Sequence, residues 1–135
     1  MENTNRRKFL KTTAMASVAA TGAFTSPKIA SKETFVHHVF FWLKNPAVEA
    51  DRLKLLEGLE KLSKVPQIRM VHIGAPASTN RAVIERGYSV SWLLFFESLE
   101  EEEIYQKHPI HLKFVEDYAH LWEKVIVYDS VGAKR

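Results

Sequence analysis

Two segments of this chain are apolar on both of the faces that a β-strand presents. Phe35-Val36-His37-His38-Val39-Phe40-Phe41-Trp42-Leu43 is almost entirely aromatic or β-branched, and Tyr88 to Phe96 is nearly continuous in bulky residues. Side chains alternate across a strand, so neither segment has a consistently polar side to turn to water. Helices of the same chain can cover one side of a sheet built from them. The other side needs a cover too, or it stands as a large exposed apolar patch. Sheet-to-sheet pairing with a second copy is the simplest cover, and the pattern predicts a homodimer.

The segments between are punctuated clearly. Asn45-Pro46 pairs an N-cap residue with proline at the first helical position. Leu55, Leu56, Leu59 and Leu62 then recur at helical spacing among charged residues, which predicts an amphipathic helix over 46–64, stopped by Val65-Pro66. A second strand is predicted over 67–73, broken by Gly74-Ala75-Pro76, and a polar loop over 75–86. Gly87 opens the third strand, 88–96. Ser98-Leu99-Glu100-Glu101 is a capping box that starts a short helix to about Lys107. Pro109 starts another, to about Trp122, with Ile110, Phe114 and Leu121 facing inward beside Val115 and Ala119. The last strand is 124–131. The order β-α-β-β-α-α-β predicts an α+β fold of the ferredoxin-like, split βαβ type: a four-stranded antiparallel sheet with helices on one face, paired into a dimeric α/β barrel.

The N-terminal residues differ in character. Asn5-Arg6-Arg7-Lys8-Phe9-Leu10-Lys11 resembles the twin-arginine export signal, with Asn5 where Ser or Thr usually stands. The following stretch, Thr12 to Phe24, is mildly apolar, rich in Ala and Thr, and too short and polar for a stable membrane span. This divides the chain into a signal peptide over 1–31 and one domain over 32–135, and implies passage through the twin-arginine translocase to the periplasm or beyond. The net charge of +3 belongs to the leader: five basic residues and one acid precede Lys32, leaving 14 basic and 15 acidic residues in the domain. A nearly neutral domain offers nucleic acid no basic stripe. The absence of cysteine removes disulfides, thiolate nucleophiles and thiolate metal sites.

Four stretches, His37-His38-Val39-Phe40-Phe41-Trp42-Leu43-Lys44, Gly87-Tyr88-Ser89, Phe96-Glu97-Ser98-Leu99 and Tyr105-Gln106-Lys107-His108-Pro109-Ile110-His111, resemble the Dabb (stress-responsive dimeric α/β-barrel) family. The resemblance spans roughly 35–131. It implies a ferredoxin-like fold paired through its sheets. From Gly87 to Asp129 the chain is also similar to a plant polyketide cyclase branch of that family, which implies a catalytic pair at Tyr105 and His111 with His37 nearby. A further histidine of that branch falls on Val90 here, which separates this chain from the branch's substrate.

The residue types fit such a role. A histidine at the third position of a helix is disfavoured as imidazolium by the helix dipole, and a neutral imidazole accepts protons. A tyrosine hydroxyl can hold a carbonyl or enolate oxygen. Structural roles for the same side chains are equally open: His111 bonded to a backbone carbonyl, His37 satisfied at the sheet edge, His108 closing the turn before Pro109. His37 and His38 must point to opposite faces, so only one can join a site under the helices. His37, His108 and His111 have nitrogen ligands for a metal but no accompanying carboxylate motif, and no metal or cofactor is expected. The expected function is binding of a small aromatic or carbonyl-bearing ligand, with His37 and His108 as contacts. The alternative is a cyclase-like or isomerase-like enzyme using His111 as base with Tyr105. The two readings divide on whether Tyr105 and His111 enter one cavity. Replacing Arg6 and Arg7 together by lysine is expected to hold the protein in the cytoplasm, and cell fractionation checks this; undiminished periplasmic recovery contradicts the export assignment.

Overall fold

In a computed structural model, which describes Gly22 and residues 25–134, the first strand β1 is Phe35–Leu43. Its burial alternates without a break, with odd-numbered residues buried and even-numbered ones half-buried. Helix α1 (Glu49–Leu62), strand β2 (Met70–Gly74), strand β3 (Val90–Phe96), helices α2 (Leu99–Lys107) and α3 (Pro109–Tyr118), a 3-10 turn (Ala119–Leu121) and strand β4 (Trp122–Ser130) follow. The four strands form one antiparallel sheet in the order β2-β3-β1-β4. This is the ferredoxin-like, split βαβ arrangement that the element order predicts. The twin-arginine motif and the apolar stretch after it lie outside the described residues. Among the described residues no helix is long and apolar enough to cross a membrane.

All three helices lie on one face. Phe35, Val39, Phe41 and Leu43 of β1 and Trp92, Leu94 and Phe96 of β3 pack there against Leu55, Leu59 and Leu62 of α1, Tyr105 of α2 and Phe114 of α3. The opposite face carries Val36, His38, Phe40 and Trp42, with Leu93, Phe95, Ile126 and Tyr128 beside them in register. Here Phe40 meets Tyr88 and Tyr128 edge to face, and Lys124 lies over the Trp42 ring. Nothing from the described residues layers over this face as the helices do over the other.

Helix boundaries differ from the sequence reading where a local alternative competes. Asn45-Pro46 does not cap α1. The Val48 N–H donates to the Asn45 carbonyl at 3.0 Å, so these residues close a turn with proline in its second position, and the helix starts at Glu49. Ser98 caps α2 as its capping box predicts, accepting from the Glu101 N–H. Helix α3 stops at Tyr118, short of Trp122. The Leu121 carbonyl accepts from the Lys44 N–H at 3.0 Å, which draws the chain back beside β1 so that Trp122 already pairs with Leu43. Within α3, Val115 is exposed and Tyr118 is buried in the place expected of Val115. Tyr118 packs on Gly58 of α1, where an added Cβ would sit 2.9 Å from its ring. Glycine there lets the two helices approach.

Candidate functional site

On the helix-covered face, β1 delivers His37 into the core, 5% exposed. The β1–β4 register sets Asp129 opposite it, and the His37 Nδ1 lies 2.6 Å from Asp129 Oδ1. A second carboxylate approaches from above. Glu102 occupies the first turn of α2, where the helix dipole favours an acid, and its Oε1 is 3.9 Å from the same His37 nitrogen. Glu102 is buried and accepts from the Gln106 amide at 2.7 Å.

Tyr105 stands one turn further along α2, so it shares the inward face with Glu102. It is 1% exposed, with its ring against His37, Phe96 and His111. Its hydroxyl accepts from the Trp92 indole N–H at 3.2 Å. Burial pushes the hydroxyl above the ordinary phenol range, so it remains a proton donor.

The break at His108-Pro109 turns the chain back on itself. His111, third residue of α3, meets the Tyr105 ring edge to face, with centroids 4.7 Å apart. Its Nδ1 is buried and has no hydrogen-bond partner among the described residues. Burial first, and then the neighbouring His37, lower the His111 pKa below the usual imidazole value, partly opposed by the Gln106 backbone. Desolvation thus favours the neutral imidazole that the sequence suggested from the helix dipole.

His37, Tyr105 and His111 line one cavity of about 370 Å³ between the sheet and α3. Its remaining wall is mostly apolar, including Phe41, Trp92 and Phe114, with Gln106 as a further polar group. It opens over the edge strand β4, where Val125 and Val127 are only partly covered. His108 is placed elsewhere: its Nδ1 accepts from the Ile110 N–H at 3.1 Å, capping α3, and it is not among the cavity residues. His38 lies on the other face, stacked at a tilt against Phe40. The structure thus gathers three of the four predicted side chains and adds Glu102, Asp129, Gln106 and Trp92. Spacing in the sequence could have tied Glu102 to Tyr105 and Gln106 on one helix face. Nothing short of the strand register ties Asp129 to His37.

The stress responsive A/B barrel domain family, Dabb, matches residues 35–131. Olivetolic acid cyclase of Cannabis sativa is 27% identical over 99 residues, covering 73% of this chain and 96% of that protein. A Dabb family protein with a ferredoxin-like fold from Mesorhizobium loti superposes with a TM-score of 0.64 at 21% identity, covering 76% of this chain and 99% of its own. The hydroxynitrile lyase of Passiflora edulis gives 0.64 at 18% identity, covering 78% and 98%. A dimeric ferredoxin-like protein from Thermobifida fusca gives 0.61 at 14% identity, covering 79% and 98%.

The desolvated imidazole makes a direct prediction. Followed by NMR, the His111 ring should titrate with a midpoint below about 6.5, the ordinary value. The sign of the linked stability follows: the unfolded chain takes up this proton first, so the contribution is complete above about pH 6.5 and is lost as pH falls through the lowered folded value. A midpoint at or above the ordinary value contradicts the burial described.

Proposed function

The chain belongs to the stress-responsive A/B barrel family, and from that footing we propose that its cavity binds a small aromatic or carbonyl-bearing compound and promotes proton transfer on it. The observation that carries this reading is the convergence of Tyr105 and His111 on one largely apolar cavity. The apolar wall suits an aromatic or alkyl body. The free Nδ1 of a neutral His111 suits removal of a proton from the carbon next to a carbonyl. The oxygen then gathers negative charge, and the Tyr105 O–H, kept protonated by burial, is the group suited to donate to it. His111 returns the proton at the end. Olivetolic acid cyclase and the hydroxynitrile lyase, by their names enzymes acting on small molecules, support a reaction in this fold.

One observation favours a second reading, binding without turnover. The Tyr105 hydroxyl is already engaged by Trp92 and is almost fully buried, as a structural tyrosine would be. Deuterium uptake separates the two. A panel of aromatic methyl ketones incubated with the protein in heavy water should exchange at the carbon next to the carbonyl, read by NMR. His111→Ala should slow exchange by about 100-fold or more, while costing about 1 kcal/mol of stability, chiefly the edge contact of the half-buried ring with Tyr105. Quenching of tryptophan fluorescence by the same ketones without exchange supports the binding reading. Neither exchange nor quenching overturns both.

The same proposal includes a sheet-to-sheet homodimer and export by the twin-arginine route. The dimer is supported by the aromatic open face and by the dimeric fold relative; export is supported by Arg6-Arg7 and the segment that follows. Dimerisation should bury on the order of 1,200 Å² or more in total. Light scattering at micromolar concentration should give twice the chain mass, and Phe40→Glu with Tyr128→Glu should give the monomer. A monomeric parent protein contradicts the pairing.

A further inference from the structure

The polar cluster that His37 forms beside the cavity has a composition that the proton-transfer reading does not use. His37, Glu102 and Asp129 come from β1, α2 and β4, and one ligand-type atom from each lies within 4.8 Å of the others. Two carboxylates therefore converge on one imidazole nitrogen, at 2.6 and 3.9 Å. Among the described residues neither carboxylate forms an ion pair with lysine or arginine; the His37 imidazole is the basic group beside both. A carboxylate as deeply buried as Glu102 is costly to maintain unless positive charge offsets it. A single imidazole supplies at most one positive charge against two negative ones.

We propose that His37, Glu102 and Asp129 form a binding site for one divalent cation of the zinc class. The donor set is one imidazole nitrogen and two carboxylate oxygens, which suits a borderline metal. Donors around tetrahedral zinc stand about 3.4 Å from one another, given bonds of about 2.0–2.2 Å. The observed separations of 2.6 and 3.9 Å from His37 bracket that spacing, and all three donor atoms lie within 4.8 Å of one another, so side-chain movements of about 1–1.5 Å would seat the ion. The parts able to make that movement are identifiable. The Asp129 side chain is 44% exposed and sits next to the end of β4, so it can turn, and the ion can enter from its side. His37 and Glu102 are held by the core and by Gln106, so two of the three donors are fixed in advance. Three protein donors leave a position for water or for an oxygen of a bound molecule. His37 also lines the cavity, so the ion would lie beside it.

The site is testable with the metal alone, whatever the fate of the ketone chemistry. The full chain, stripped with a chelator, is titrated with Zn²⁺ by calorimetry and with Co²⁺ by visible absorption. One ion per chain is expected at micromolar affinity or tighter, with Co²⁺ developing the absorption of a low-symmetry four-coordinate centre. Glu102→Gln and Asp129→Asn, each preserving shape, should weaken binding at least tenfold, and His120→Ala, at an exposed position away from the cluster, should leave it unchanged. Absence of saturable binding in the parent protein overturns the proposal. So does binding that survives both carboxylate substitutions, since it would then reside on other histidines. Asp129→Asn, on an exposed side chain, keeps the test decisive should Glu102→Gln fold poorly.

Discussion

Everything in this molecule is arranged around β1. It pairs with β3 on one side and β4 on the other, so the sheet satisfies its backbone on both edges, as it does that of β3 between β1 and β2. Its two faces meet different environments, and both are apolar. The odd-numbered face forms the floor of the helical core, and the even-numbered face presents Phe40 and Trp42 with no helix over them among the described residues. A one-residue slip of β1 would send His37 to the open face and His38 into the core. The hydrophobic alternation that normally protects against such a slip is weak here, because both faces are apolar. The neighbouring strands and the helices above have to hold the register instead.

That register is what creates the site. His37 is paired across the ladder with Leu94 on β3 and Asp129 on β4, so the core strand turns one polar side chain toward an acid at the sheet's edge. The helices then bring the rest from above. Glu102 and Tyr105 arrive on one face of α2, and the proline break returns the chain so that His111 meets the Tyr105 ring. The ionisable groups are surrounded by Phe41, Trp92, Phe96 and Phe114, so their interactions are less screened than they would be at a surface. The same burial that lowers the His111 pKa raises that of Tyr105, since it disfavours the charged form in each case. An acceptor and a donor are thereby kept neutral side by side near neutral pH.

The helical layer has its own constraint. Helices α1 and α3 cross where Gly58 faces the Tyr118 ring, and the absence of a Cβ sets how closely they pack. Phe114 and Tyr118 stack one turn apart on α3, and Phe114 also stacks on Trp122 at the start of β4. This aromatic column carries the chain from helix to edge strand. Phe114 and Trp122 of this column also line the cavity, so packing and the site depend on the same residues.

Much of this was legible in the amino-acid sequence because it depends on local chemistry. The apolar stretch 35–43 predicts β1 with its observed limits, Ser98 and its acids predict the start of α2, and the His108-Pro109 step predicts both the turn and the start of α3. The element order and the resemblance at His37, Tyr105 and His111 pointed to the ferredoxin-like fold and to three of the cavity's polar residues. What stayed hidden depends on partners distant in the chain. Asn45-Pro46 has the residue types of a helix cap, and only the hydrogen bond closed by Val48 makes it a turn. Val115 is the more apolar of the pair in the sequence, yet Tyr118 is the one buried, its ring against the Cβ-free Gly58 of α1. Asp129 lies 92 residues from His37, and no spacing rule links them. Strand register is set by the packing of the whole sheet, so the pairing of that acid with that imidazole was decided by tertiary structure alone.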